Sequence, residues 1–113
     1  MNKILISLLV IFTVGAVQAV PLYCRGKIKN SFIEQNGNIH IYGSWRSQWT
    51  RICSTKDLDK VLCSLWTSYI VNAIENNLDV TVNYNVNEGV TCANLPKYSE
   101  APRPNYIMLH NAQ

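Results

Sequence analysis

The densest run of chemically capable side chains is Tyr42-Gly-Ser-Trp45-Arg46-Ser-Gln48-Trp49-Thr-Arg51. Aromatic rings stack on flat apolar faces such as those of sugars and bases, while Arg, Ser and Gln supply polar contacts. Tyr42, Trp45, Arg46, Trp49 and Arg51 are therefore the candidate ligand-binding set, at a strand-to-strand turn of the kind that carries binding in small barrels. A plainer explanation stands beside it. Trp45 and Trp49 can be core residues meeting across a hairpin, with Arg46 and Arg51 solvated, because aromatics dominate small cores. A second patch, Tyr98, Arg103 and Tyr106, surrounds the prolines and reads either as a binding rim or as a loop pinned by a buried tyrosine.

Catalysis has thinner support. His40 and His110 could serve as general base and acid, with Lys27, Lys29 or Arg51 binding a phosphate, as in small exported ribonucleases. His40 falls on the polar face of a strand, however, and His110 near the C-terminus. Glu34, Asp57, Asp59, Glu75, Asp79, Glu88 and Glu100 are scattered among turns and helix ends, and no Gly-x-Ser-x-Gly, His-Glu-x-x-His or phosphate loop occurs. No catalytic residue and no cofactor is assigned. Without a Cys-x-x-Cys, and with both histidines distant from the cysteines in sequence, no metal site is expected either.

Residues 1–19 read as a secretory signal peptide: Lys3, the apolar run Ile4 to Val14, then Val17-Gln18-Ala19 before the cut. That run falls short of the roughly 20 residues a membrane span needs. Removing 19 of the 113 residues leaves 94, a single small domain over 20–113, secreted or periplasmic and not inserted in a membrane. In such a compartment Cys24, Cys53, Cys63 and Cys92 read as two disulfides. Three pairings are open; Cys53 to Cys63 would tie a strand to the helix it leads into, leaving Cys24 to Cys92. Lys3 leaves with the signal, so the formal charge falls from +3 to +2. That is too small for the basic face nucleic-acid binding requires.

Cys24 to Phe32 alternates, with Cys24, Gly26, Ile28 and Phe32 on one face and Arg25, Lys27, Lys29 and Ser31 on the other. Asn36-Gly37 is a hairpin turn, Asn38 to Trp45 the returning strand, and Gly43 a bulge or bend. Trp49 to Cys53 follows as a third strand. The period then changes: Leu58, Val61, Leu62, Leu65, Trp66, Tyr69, Ile70, Ala73 and Ile74 mark a helix of about five turns. Ser54-x-x-Asp57 predicts its capping box and Asn76-Asn77 its left-handed end. Trp66, Ile70 and Val71 beside the main stripe leave apolar residues over more than half the helix, enough to pack on the sheet and on a neighbour. Asp79 to Val86 alternates cleanly, Val90 to Ala93 predicts a short partner strand, Pro96 to Pro104 a loop, and Tyr106 to His110 a last strand. The expectation is mainly β with one α-helix (α+β), in the order β-β-β-α-β-β(-β). One helix cannot cover both faces of an open sheet, so the sheet should curl into a small OB-like barrel; a flat sheet with the one helix laid across it is the main rival.

Signal, hairpin, the helix with Cys63-x-x-Trp66 and Ala73, the strand Val80-Thr-Val-Asn-Tyr84 and Thr91-Cys92 together resemble the OB-fold B subunits of bacterial AB5 toxins, of the pertussis and subtilase-cytotoxin type. The likeness is one of topology over most of the mature chain, and it transfers no sugar-binding residue one by one. It implies an exported, disulfide-bonded bacterial subunit that performs no catalysis, binds a glycan or glycoprotein receptor, forms a pentamer and joins a catalytic A-type subunit. The reading from another class is a periplasmic inhibitor or interaction protein that inserts Pro96 to Pro104 into an enzyme.

Overall fold

The computed structural model describes residues 18–112. The signal peptide expected over residues 1–19 thus lies outside the described residues but for its last two. The elements are β1 (Ala19–Ile33), β2 (Asn38–Gly43), β3 (Trp49–Ser54), α1 (Lys60–Asn76), β4 (Asp79–Asn87) and β5 (Tyr106–Leu109). The strands form one antiparallel sheet in the order β3-β2-β1-β4-β5. This is the expected mainly-β architecture with a single helix. Both disulfides join the pairs favoured above, Cys24–Cys92 and Cys53–Cys63.

Several details depart from expectation. The sheet does not close into a barrel, because the free edge of β3 is taken by a loop residue. Tyr98 N–H donates to Trp49 O (2.9 Å) and Arg51 N–H to Tyr98 O (3.1 Å), a short parallel bridge where β5 would have to pair. Nor does Val90 to Ala93 form a strand. Thr91 N–H donates to Asn94 Oδ1 (2.6 Å), Asn94 N–H to Thr91 Oγ1 (3.2 Å) and Leu95 N–H to Thr91 O (2.9 Å). Such local side-chain bonds compete with a β ladder and curl the segment into a turn.

The organising strand is β1. Its residues Ala19 to Lys27 pair with β4, and Ile28 to Ile33 pair with β2, so the sheet has two halves sharing one strand end to end. At the junction the register slips: Ile28 opposes Gly43, yet Asn30 opposes Tyr42, leaving Lys29 as a bulge. Because side chains alternate with period two, one extra residue reverses which positions face out. Arg25 and Lys27 point outward before the bulge, and Phe32 faces outward after it. Phe32 is consequently not on the Cys24 and Ile28 face, as simple alternation predicts, but on the opposite one. A second bulge in β3 sets Ile39 opposite Cys53 and His40 opposite Arg51. Ile52 and Cys53 are then both buried, which presents Cys53 to Cys63 of α1.

The core lies between α1 and the inner sheet face: Cys63, Trp66, Ile70 and Ala73 against Cys24, Ile28, Ile39, Ile41, Ile52, Val80, Val82, Tyr84 and Ile107. The helix stops at Asn77, whose left-handed backbone (φ 53°, ψ 47°) donates its N–H to Ala73 O. The capping box, in contrast, closes one turn too early to cap the helix. Asp57 Oδ2 accepts from Ser54 N–H at 3.0 Å and Asp57 N–H donates to Ser54 O at 3.0 Å, while the helix begins after Asp59. Val61, Leu65 and Tyr69 remain exposed along the other flank of α1, as does Leu58 in the turn before it. No described helix is long and apolar enough to cross a membrane.

Candidate functional site

The two halves of the sheet present different outer faces. On the β1–β2–β3 half the bulge at Lys29 brings Phe32 level with His40, and the register sets Tyr42 opposite Trp49 and His40 opposite Arg51. The rings form one continuous cluster. Phe32 stacks on His40 at 4.6 Å and meets Trp49 edge-on at 4.7 Å. Tyr42 meets Trp49 edge-on at 5.3 Å, and Tyr98 approaches His40 at 6.0 Å. Phe32, Tyr42, Trp49 and Arg51 are half-buried and Tyr98 is exposed, so ring surface remains open to solvent. His40 is only 1% exposed, with Nε2 at 2.5 Å from Glu34 Oε1 in the β1–β2 turn.

The five residues expected to bind ligand are thereby divided. Tyr42, Trp49 and Arg51 share the outer face. Trp45 and Arg46 turn inward. The indole of Trp45 lies over Gly43 and Gly26: a Cβ on Gly43 would sit 2.5 Å from the ring, and one on Gly26 would sit 3.2 Å from it. Gly43 thus permits a tryptophan to plug the end of the core. Arg46 is 8% exposed. Its guanidinium donates to Thr50 Oγ1, Leu95 O and Pro96 O (3.2 Å for the last), fastening the long β4–β5 loop to β3. Burial lowers the pKa of Arg46, the nearby Tyr84 phenol opposing this. The Tyr84 phenol is itself pushed well above its ordinary range by burial, and the Arg46 charge only partly offsets that. Among the described residues Tyr84 Oη and His40 Nδ1 have no hydrogen-bond partner.

On the β1–β4–β5 half the outer face is ionic at its Lys27 end and carries the exposed Tyr23, Tyr106 and Met108 farther along. Asp79 accepts from Lys27 Nζ at 2.9 Å and from Arg25 Nε at 3.3 Å, and Lys27 Nζ also donates to Asn77 O at 2.7 Å. The Lys27 hydrogen bond above all, with Arg25 and both charges adding, holds the Asp79 carboxyl below the usual carboxylate range. These residues, with His110 and Asn111, line a basin of about 570 Å³. Sequence reasoning assigned no site here, although alternating Arg25 and Lys27 ahead of Asp79 was its available signal.

The two histidines do not share a site. His40 belongs to the aromatic cluster, whereas His110 Nε2 lies 2.7 Å from Thr81 Oγ1 in the other half. Of the second patch, Arg103 pairs with Asp59 at 3.1 Å, Tyr106 is an exposed residue of β5, and Tyr98 joins the aromatic cluster. No group of three or more His, Cys, Asp or Glu side chains is gathered for a metal among the described residues. Comparison with protein-family models, with curated proteins and with solved structures gives no match to this chain.

Proposed function

We propose that this is an exported bacterial binding protein without catalytic activity. Its ligand is a glycan or glycoprotein receptor held on the outer face of β1, β2 and β3. Trp49 and Tyr42 supply the stacking rings and Arg51 the polar contacts, with Tyr98 at the rim. The observation that carries this reading is the open aromatic cluster, where rings braced edge-on against one another offer a rigid, half-hydrated surface. A five-stranded, partly open OB-type barrel uses the face of its second and third strands, with the loops following its first and fourth, for oligosaccharides and oligonucleotides. In this chain those loops bring Glu34 and Tyr98 to the cluster, and the mature charge of +2 favours the saccharide. Arg46, engaged with the 95–96 backbone, has a positioning role.

The finer form of the reading is the toxin B-subunit likeness: a pentameric ring that carries a catalytic A-type subunit. Its support is the exposed flank of α1, where Val61, Leu65 and Tyr69 lie along a helix with no charged residue from Val61 to Ile74, Leu58 adding to it from the preceding turn. A face without charge suits a second copy of itself. The inhibitor reading draws no such support, because Arg46 and the buried Leu95 and Ala101 hold the Pro-rich loop against the body.

The test is a glycan array probed with the mature, oxidised protein, followed by titration of any hit. Trp49→Ala is expected to weaken binding about tenfold or more, the worth of roughly one stacked ring, with the melting curve showing the variant folded. Binding that survives Trp49→Ala unchanged, or an array without hits, overturns the assignment. Native mass spectrometry decides the finer form: a five-fold ring supports it, and a monomer removes it.

A further inference from the structure

We propose that the basin on the β1–β4–β5 half is a second ligand site, specific for a sugar that carries one carboxylate, of the hexuronate kind. It stands apart from the aromatic face and does not rest on that reading. The basin is lined by Arg25, Lys27, Asn77, Asp79, His110 and Asn111. At about 570 Å³ it lies within the range of small-molecule sites and holds one saccharide unit with its water.

The identity of the ligand follows from what the lining still has to offer. Arg25 uses only Nε on Asp79, and among the described residues its two Nη groups meet no partner. Its side chain is 60% exposed, so this pair of parallel donors is available to a carboxylate in the bidentate manner. Lys27 spends two donors, on Asn77 O and Asp79 Oδ1, and keeps a third. The side-chain amides of Asn77 and Asn111 are likewise uncommitted among the described residues. An amide offers both a donor and an acceptor, which is what vicinal hydroxyls require.

The same wall selects against a dianion. Asp79 contributes a negative charge, held in place by both cations, and α1 ends here, so that its terminal carbonyls carry the negative end of the helix dipole. A phosphate or sulfate would gain Arg25 and Lys27 but face Asp79 and these carbonyls. A monocarboxylate bearing hydroxyls gains the guanidinium and donates its hydroxyl protons to Asp79 and the carbonyl oxygens. The lining has no Phe, Tyr or Trp, and its one ring, the His110 imidazole, is engaged with Thr81 Oγ1 at 2.7 Å, so a neutral sugar would find little to stack on and no use for Arg25.

The test is titration of the mature, oxidised protein with methyl glucuronide, methyl glucoside and inorganic phosphate, followed by amide NMR. The expected result is saturable shifts of Arg25, Lys27, Asn77 and Asn111 with the glucuronide at millimolar concentration. The glucoside and phosphate should each bind about tenfold more weakly or worse. Arg25→Gln should weaken the glucuronide at least tenfold while leaving Trp49-dependent glycan binding intact, and Trp49→Ala should leave the glucuronide response unchanged. Equal binding of the neutral glycoside, phosphate binding as tight as the glucuronide, no saturable shift at these residues, or indifference to Arg25→Gln would each overturn the proposal. Loss of binding through Trp49→Ala would overturn it as well, by making the two sites one.

Discussion

One strand supplies both outer faces of this sheet, and their chemistry is opposite. Immediately before Lys29 the outward residues of β1 are Arg25 and Lys27, clasped to Asp79 of β4, with Tyr23 farther along the same face. After it Phe32 stacks on His40 beneath Trp49. A single bulged residue separates a charged cluster from an aromatic one. The halves also hold their outer residues by different means. The aromatic cluster excludes water from His40 and is insensitive to salt in most of its contacts. The charge cluster lies in solvent, where screening leaves each pair worth little. Rings braced on three strands form a preformed surface, whereas long charged side chains can re-aim toward a ligand. That contrast is why stacking is assigned to one face and recognition of an anion to the other.

The sharpest way to break the comparison is to cut the covalent ties, one for each half. Cys24–Cys92 spans 68 positions and anchors the long β4–β5 loop to β1 in the ionic half; Cys53–Cys63 spans 10 and joins β3 of the aromatic half to α1. Loop-closure entropy makes the first worth about 4 kcal/mol and the second about 3 kcal/mol. Replacing Cys24 and Cys92 by Ser should therefore lower the urea midpoint more than replacing Cys53 and Cys63. Hydrogen exchange should show β4 and β5 losing protection first in the former variant. An equal loss from both would mean that the halves unfold as one unit and that their separateness is confined to the surface.

A smaller effect is expected at Arg46, which belongs to neither outer face. Arg46→Met keeps the apolar stem but strands Leu95 O, Pro96 O and Thr50 Oγ1, at about 2–3 kcal/mol for lost bonds to a buried charge. Limited proteolysis should then cut within 96–104, and Tyr98 should leave the edge of β3. If Arg46→Met left stability and proteolysis unchanged while abolishing glycan binding, Arg46 would be a ligand contact after all, and the aromatic face would extend to it.

The elements were readable because their signals are local. Val80, Val82, Tyr84 and Val86 alternate, the helix repeats at its own period, and Asn77 tolerates a positive φ. Tyr42, Trp49 and Arg51 could be named together because they flank one turn. What the pattern did not disclose was phase. Nothing in Lys27-Ile-Lys-Asn30 marks Lys29 as a bulge, since the slip is imposed by pairing with β2, and so Phe32 was assigned to the wrong face. Arg46 was equally opaque: its partners Leu95 and Pro96 lie far along the chain and offer only backbone carbonyls, which every sequence has. The ionic basin needs β1, β4, the end of α1 and the C-terminal segment together, so no short window contains it.

The finest distinction between the halves is their response to acid. Lys27 and Arg25 hold the Asp79 carboxyl below its ordinary value, so the folded state favours the charged form. Such a group contributes stability that is complete above the unfolded carboxyl value of about 3.9 and is lost as pH falls through the lowered folded one. Asp79→Asn should consequently depress the melting temperature slightly at neutral pH, and the difference from wild type should shrink below about pH 4. High salt at neutral pH should shrink it too, because all three side chains reach solvent. Variants of Tyr42 and Trp49 should show neither dependence, having no charge to screen or protonate. An Asp79→Asn penalty of the same size at pH 2 and pH 7 would show that the carboxylate acts by shape alone. The ionic half would then be held like the aromatic one, by packing, and Arg25 would lose the fixed countercharge that orients it toward a ligand.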